Sequence, residues 1–271
     1  MFALVKTLCM KRKTFLQYAI VCSLPLAFSS CYYSAPLPFD IPLEWQKENL
    51  YYTPHTANAP LLKKKNDLSA SFNYGVGKEY AESELRVAYM PAAHVGITTN
   101  VALSSNVGRV KFVKPEIAVG YIKPLSKNWQ FETYAGVAGA NIENEHSTGW
   151  SHVKNTQLFI QPAVSLHNTT NTAEIGLVSR FARVNFKVMD TTFSSRRETY
   201  SAKQLQTLRE NPNHLLWEPG VTIRFGWKQA LFNINYAASV DLSKEQFAKA
   251  NDNISLGVSF RLNAGLKKVV Q

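Results

Sequence analysis

The alternation of apolar residues along the chain constrains the fold more than any other feature of this sequence. Between Leu68 and Leu262, about ten segments place an apolar residue at every second position, and tight turns alternate with longer connections between them. In an outer-membrane barrel one face of each strand meets lipid, the other faces the lumen, and the short turns gather at one end. The pattern therefore predicts an all-β, up-and-down antiparallel transmembrane β-barrel of about ten strands.

The alternation is clearest late in the chain, where Phe232, Ile234 and Tyr236 alternate with Asn233 and Asn235. Most segments have about the 9–11 residues that a tilted strand needs to cross a membrane. We predict a barrel domain at 67–263, followed by a periplasmic tail at 264–271, with strands near 68–76, 82–90, 94–104, 111–122, 128–140, 155–166, 172–184, 217–225, 232–240 and 254–262.

The first thirty residues resemble a signal peptide. A basic cluster at Lys11–Lys13 precedes an apolar run at Phe15–Phe28, which is too short for a membrane span and ends in small residues before Cys31. We predict that residues 1–30 are removed, and Met10 would give a more usual signal length than the first residue. Cys31 would then carry a lipid anchor such as palmitate. The alternative is an ordinary signal-peptidase site nearby, with Cys31 lost or left as a free thiol.

Residues 31–66 contain closely spaced prolines, which exclude a long helix. We predict an irregular periplasmic tether between the lipid and the first strand. In bacterial barrels the short turns face the periplasm, so both termini are expected on that side.

The net charge of the chain says little about its function. Removal of residues 1–30 leaves 26 Lys and Arg against 19 Asp and Glu, a net charge of +7. The basic residues are scattered over loops and tail and form no stripe, so nucleic-acid binding is not expected.

The polar face of the strands contains five acidic and five basic residues. A charge-selective pore would show one sign in excess, whereas matched charges in a narrow space pair with one another. Barrels of this size enclose little more room than their own side chains fill. We predict a lumen largely filled by paired charges, from Glu84, Arg86, Lys114, Glu116, Glu132, Glu174, Arg180, Glu218, Arg224 and Arg261. A small-solute channel is the alternative.

The loop predicted at 185–213 is long enough to be functional, and its segment 201–210 could form a short helix. Its arginines could bind lipopolysaccharide phosphates or another surface ligand. The candidate ligand-binding residues are Arg196, Arg197 and Arg209.

A hydrolase at the outer rim is a further alternative, because a histidine paired with a carboxylate can activate water. No spacing fixes these residues on one wall, and we expect no enzyme activity, no metal and no cofactor. The residues concerned lie in the loops predicted at 142–154 and 185–213 or, for His214, directly after the second loop. They are Glu143, Glu145, His146, Ser147, His152, Asp190, Ser194, Ser195 and His214.

Three short motifs carry a family resemblance: Cys31, the segment Tyr52–Leu62 with the lysines after it, and Val87–Pro91 leading into Val95–Ile97. With them the chain resembles the outer-membrane β-barrel lipoproteins of Bacteroidota. The resemblance implies a barrel fold in the outer membrane and brings no activity. Cys31 is not followed by the acidic cluster of some surface lipoproteins in that phylum, which favours a periplasmic lipid. We expect a structural, binding or narrow-transport role.

Overall fold

The structure is a computed structural model that describes residues 50–56, 59–60, 62–77, 80–104, 110–146, 149–193, 200–243, 247 and 249–263. The predicted signal peptide, Cys31, Arg196, Arg197 and the tail at 264–271 lie outside the described residues.

The described chain forms a β-sheet with one helix. In chain order its elements are β1 (Asp67–Val76), β2 (Ala81–Ala92), β3 (Val95–Ser104), β4 (Val110–Pro124), β5 (Trp129–His146), β6 (Gly149–His167), β7 (Ala173–Phe193), α1 (Tyr200–Glu210), β8 (Asn213–Gly226), β9 (Ala230–Ala238), β10 (Val240–Asp241) and β11 (Asp252–Asn263).

The sheet closes on itself. Each long strand pairs antiparallel with its neighbours in the sequence, and β11 pairs with both β9 and β1. The two residues of β10 follow β9 after a break at Ser239 and continue its pairing with β8. Ten long strands therefore form a closed antiparallel barrel, which confirms the predicted fold.

The outside of the barrel carries an apolar belt. The outward-facing residues of β4 are apolar from Val113 to Tyr121, and this stretch is bounded by Lys111 and Lys123. On β6 the matching stretch runs from Leu158 to Leu166, and 63% of the Leu158 side chain is exposed. Each stretch is nine residues long, about what a tilted strand needs to cross a membrane. The exterior is that of an outer-membrane barrel.

Three strands extend beyond this belt. The β5–β6 hairpin stays in register as far as the pair His146–Gly149, and β7 continues to Phe193. We call residues 140–146, 149–157 and 182–193 the outer arm. The loop predicted at 142–154 is wrong, and the loop predicted at 185–213 is shorter than expected. The barrel end that carries the arm is called the arm end here, and the opposite end is called the turn end.

Helix α1 covers the inner face of the arm. Leu205 and Leu208 are buried in one cluster with Val184, Phe186 and Phe247. This burial explains why the strands continue past the membrane belt. The helix covers the apolar inner face of the arm, which would otherwise be exposed to water. No helix among the described residues is long and apolar enough to cross a membrane.

The largest difference from the sequence prediction concerns the supposed periplasmic tether at 31–66. Its described part from Leu50 to Leu62 lies inside the barrel, where Tyr51, Tyr52 and Ala59 are almost completely buried. We call residues 50–62 the lumen segment. An irregular backbone inside a membrane barrel needs polar partners for its N–H and C=O groups, and the polar inner face of the strands supplies them.

Candidate functional site

The lumen segment begins at the arm end. The backbone N–H of Leu50 donates to Asn144 Oδ1 at 3.1 Å, near the outer end of β5. The Leu50 side chain packs with Tyr80, Phe112 and Ile142. These residues lie close to the ends of the strands that run toward the arm. The segment therefore starts where the barrel opens toward the arm end.

The segment next passes through the upper lumen, where both its side chains and its backbone make contacts. The carbonyl of Tyr52 accepts from the backbone N–H of Ala250 at 2.8 Å, and the carbonyl of Pro54 accepts from Asn253 Nδ2 at 3.3 Å. The hydroxyl of Tyr52 donates to Glu218 Oε1 at 2.8 Å, and Lys114 Nζ donates to Thr53 Oγ1 at 2.6 Å. His55 Nδ1 lies 3.3 Å from Glu116 Oε2.

Lower in the barrel the contacts are mainly with backbone carbonyls. Arg86 Nη2 donates to the carbonyl of Thr56 at 3.2 Å, and Arg224 Nη2 donates to that of Ala59 at 2.5 Å. Gln130 Nε2 donates to the carbonyl of Leu62 at 3.0 Å. Because Gln130 and Arg224 lie near the tight turns, these contacts follow the segment to the turn end.

At the turn end the chain reverses and enters β1. Asp67 Oδ2 accepts hydrogen bonds from the backbone N–H groups of Lys63 at 2.9 Å and Lys64 at 3.1 Å. Asn66 has a φ of 68°, in the left-handed region that asparagine tolerates in turns. The lumen segment and β1 therefore run in opposite directions.

Ion pairs surround the segment in the upper lumen. Arg180 Nη1 lies 2.6 Å from Glu116 Oε2, and its Nε lies 3.5 Å from Glu218 Oε2. Lys114 Nζ lies 2.7 Å from Glu82 Oε2. One arginine thus neutralises the two carboxylates that hold Tyr52 and His55.

Two further groups of ion pairs complete the interior. Arg86 Nη2 lies 2.9 Å from Glu84 Oε1. Near the turn end, Glu174 accepts from Arg224 at 2.7 Å and from Arg261 at 3.2 Å.

Nine of the ten side chains assigned to the lumen from the sequence are buried, and Arg261 is partly buried at the turn end. Sequence analysis missed Glu82, although it shares the inward register of Glu84 and Arg86. With Glu82 included, the group has one acidic residue more than it has basic residues. That residue is Glu132, which is fully buried and forms no ion pair among the described residues.

Little empty space remains around the segment. Two small cavities flank Pro60, one lined by Arg224 and Ser259 and the other by Tyr134 and Gln161. Each has room for about a single water molecule. Within the described part of the barrel, the interior is filled by chain and paired charges.

Lys63 lies at the turn end, where its surroundings disfavour a positive charge. Its Nζ donates to Asn171 Oδ1, and burial together with the nearby Arg261 guanidinium lowers the pKa of the Lys63 ammonium to about 8. The lysine is thus held where its charge is disfavoured.

Among the residues considered for rim catalysis, Ser147, Ser194 and Ser195 lie outside the described residues, and the described ones form no open site. His214 Nδ1 lies 3.0 Å from Asp241 Oδ2, and its Nε2 lies 3.0 Å from the carbonyl of Asn211. Both ring nitrogens are therefore engaged, and the pair is buried. His152 contacts Asn141, while Glu145 pairs with Lys111 on the exposed face. Among the described residues no group of His, Cys, Asp and Glu could hold a metal ion.

A basic cluster lies just above the apolar belt on the outside of β6 and β7. Lys154 and Lys187 are direct cross-strand neighbours, and Arg183 follows on the same face of β7. All three are exposed, and none has an ion-pair partner among the described residues. Arg209 of α1 is also exposed and donates to Thr191 Oγ1 at 3.4 Å. Adjacent like charges repel unless an anion lies between them.

Three solved structures illustrate what the fold is similar to. The N-terminal β-barrel domain of Pseudomonas aeruginosa OprF has 10% identity and a TM-score of 0.37, over 74% of this chain and 100% of its own. The NanC porin has 10% identity and a TM-score of 0.38, over 72% of this chain and 100% of its own. The translocator domain of the autotransporter NalP from Neisseria meningitidis has 8% identity and a TM-score of 0.39, over 74% and 90%.

No family of known proteins matches this sequence, and no curated protein is similar to it. The structural similarities are too distant to transfer an activity or a partner.

Proposed function

We propose that this chain is an outer-membrane lipoprotein whose barrel is a sealed membrane anchor rather than a pore. The observation that carries the proposal is the lumen segment, which fills the barrel from Leu50 to Leu62. A solute would have to displace it and break the buried ion pairs around Arg180 and Arg224, and separating such pairs is costly. The apolar belt supports membrane insertion by matching the length of a spanning strand.

Because the lumen is closed, we expect any binding function to lie in the parts of the chain beyond the apolar belt. The outer arm is a rigid three-stranded extension backed by α1, and rigid elements hold contact residues more precisely than loops do. Both ring nitrogens of His214 are engaged in the interior, which supports a binding or structural role without enzymatic chemistry.

A lipid on Cys31 completes the proposed anchor. The test is metabolic labelling with palmitate of the intact chain and of Cys31→Ala, followed by membrane fractionation. We expect label only on the intact chain, while both proteins fractionate with the outer membrane and show the heat-modifiable gel migration of a folded barrel. Equal labelling of both chains would refute lipidation at Cys31. Recovery of the intact chain as a detergent-free soluble protein would refute the membrane barrel.

Lipopolysaccharide is the partner that the basic cluster favours. Lys154, Arg183 and Lys187 lie directly above the apolar belt, at the level where headgroup phosphates meet a barrel, and arginine and lysine both bind phosphate. Arg209 lies farther out, on the helix.

The experiment compares lipopolysaccharide retained on purified barrels. A triple variant, Lys154→Gln with Arg183→Gln and Lys187→Gln, should retain several-fold less than the intact chain. The matched control replaces two exposed lysines at the turn end, Lys123→Gln and Lys127→Gln, and should retain as much as the intact chain. Equal retention by the triple variant would refute this site.

A further inference from the structure

The direction of the lumen segment indicates from which side of the membrane the chain enters the barrel. We infer that the chain enters the lumen from the extracellular side, at Leu50. The inference rests on the proposed outer-membrane barrel, and it differs from the expectation from the sequence that the chain before the first strand is periplasmic.

The contacts of the segment fall in a single order along the barrel. Leu50 contacts Asn144 near the arm end, while Thr53 contacts Lys114 farther in. Arg224 then holds Ala59, and Lys63 reaches Asn171 in a tight turn. The chain thus descends through the lumen once, from the arm end to the turn end, before β1 begins.

The orientation of the barrel gives this direction its meaning. Bacterial barrels place short turns in the periplasm and longer extracellular elements outside. The tight turns at 93–94, 125–128 and 227–229 share one end, and the outer arm and α1 share the other. Leu50 therefore lies at the extracellular end.

Within the described barrel, no room is left for the chain to cross the membrane a second time. The lumen is filled, and an irregular backbone outside the barrel would leave polar groups unpaired in lipid. The uncharged run from Leu50 to Leu62 can extend to about 40 Å, enough to cross the bilayer core.

Three matched lysine-to-cysteine variants of the full chain test the inference. Intact cells are treated with a membrane-impermeant maleimide before and after permeabilisation of the outer membrane, and mass spectrometry identifies the labelled peptide. Lys47→Cys reports the chain before Leu50. Lys203→Cys reports the exposed face of α1, and Lys127→Cys reports the exposed turn between β4 and β5.

We expect Lys47→Cys and Lys203→Cys to be labelled in intact cells, and Lys127→Cys only after permeabilisation. If Lys47→Cys behaves like Lys127→Cys while Lys203→Cys is labelled in intact cells, the inference is overturned and the barrel orientation stands. If Lys203→Cys needs permeabilisation and Lys127→Cys does not, the proposed orientation itself is wrong. Heat-modifiable gel migration of each variant checks that the barrel has folded.

Discussion

The upper and lower halves of the lumen segment are held in different ways. In the upper half the segment offers its own side chains in addition to the carbonyls of Tyr52 and Pro54. The side chains of Tyr52, Thr53 and His55 meet Glu218, Lys114 and Glu116. In the lower half it offers mainly backbone carbonyls, which accept from the barrel residues Arg224 and Gln130.

This difference shows where sequence identity matters. The upper half depends on particular residues of the segment itself. The lower half depends on particular residues of the strands, because every residue type provides a carbonyl. Substitutions in the two halves should therefore differ in both size and location of their effects.

The largest effect is expected from Arg180→Ala in the upper half. The change leaves Glu116 and Glu218 buried without their cation and removes a guanidinium stacked 3.6 Å from the centroid of the Phe159 ring. Loss of one partner from a buried ion pair costs about 3–5 kcal/mol in the free energy of unfolding. Urea unfolding in lipid vesicles, followed by tryptophan fluorescence, measures it.

The matched control is Arg183→Ala, three residues along β7 on the exposed outer face. Its change in the free energy of unfolding should stay within about 0.5 kcal/mol. Equal losses for the two arginines would mean that Arg180 is not part of a buried charge network.

A smaller loss is expected from Arg224→Ala in the lower half. Glu174 loses one of its two cations but keeps Arg261, so this carboxylate stays paired, and the change also removes the charged hydrogen bond to the carbonyl of Ala59. Hydrogen bonds to charged groups contribute about 1.5–3 kcal/mol to the free energy of unfolding. In the same unfolding assay, a loss as large as that of Arg180→Ala would contradict the distinction between the halves.

Tyr52→Phe tests the dependence of the upper half on its own side chains. The ring keeps its packing against Phe247, and only the hydrogen bond to Glu218 is lost. We expect a loss of about 1–3 kcal/mol in the free energy of unfolding. Tyr236→Phe on the lipid-facing side of β9 is the control and should change little. Identical values for both tyrosines would remove the proposed role of the Tyr52 hydroxyl.

The smallest effect concerns pH at the turn end. Burial lowers the pKa of Lys63 to about 8, below the 10.5 of a free lysine, so the folded state disfavours the charged form. The penalty is present in full below pH 8 and is relieved as pH rises from 8 toward 10.5, where the unfolded chain still binds the proton.

Relative to Lys63→Gln, the urea midpoint of the intact chain should therefore rise between pH 7.5 and 9.5. Because Lys63 is partly exposed, solvent screening keeps the change small. A fall of the relative midpoint over that range would show that burial does not depress this pKa.

Much of the barrel was predictable because an apolar residue at every second position is a strong signal wherever one face of a strand meets lipid. The strand predicted at 68–76 is observed as Asp67–Val76, and the one at 254–262 as Asp252–Asn263. Beyond the belt the pattern inverts on β7, since Val184 and Phe186 face inward under α1 while Arg183 and Lys187 face outward, and the extension of β7 to Phe193 was missed.

The lumen segment was missed for a different reason. Closely spaced prolines indicate an irregular chain, but they do not say whether it lies in water or in a barrel. The useful signal was the absence of charge from Leu50 to Leu62, between Glu48 and Lys63. A solvated linker of that length usually carries charged residues, whereas a segment in a narrow lumen avoids unpaired ones.

Single-channel recording in planar lipid bilayers shows whether the chain closes its own barrel. The intact chain should show no steady conductance. A variant with Tyr52, Thr53 and His55 all replaced by glycine should show current steps, because the upper half of the segment loses its anchors. Steady, ohmic current steps from the intact chain, equal to those of the variant, would contradict the account.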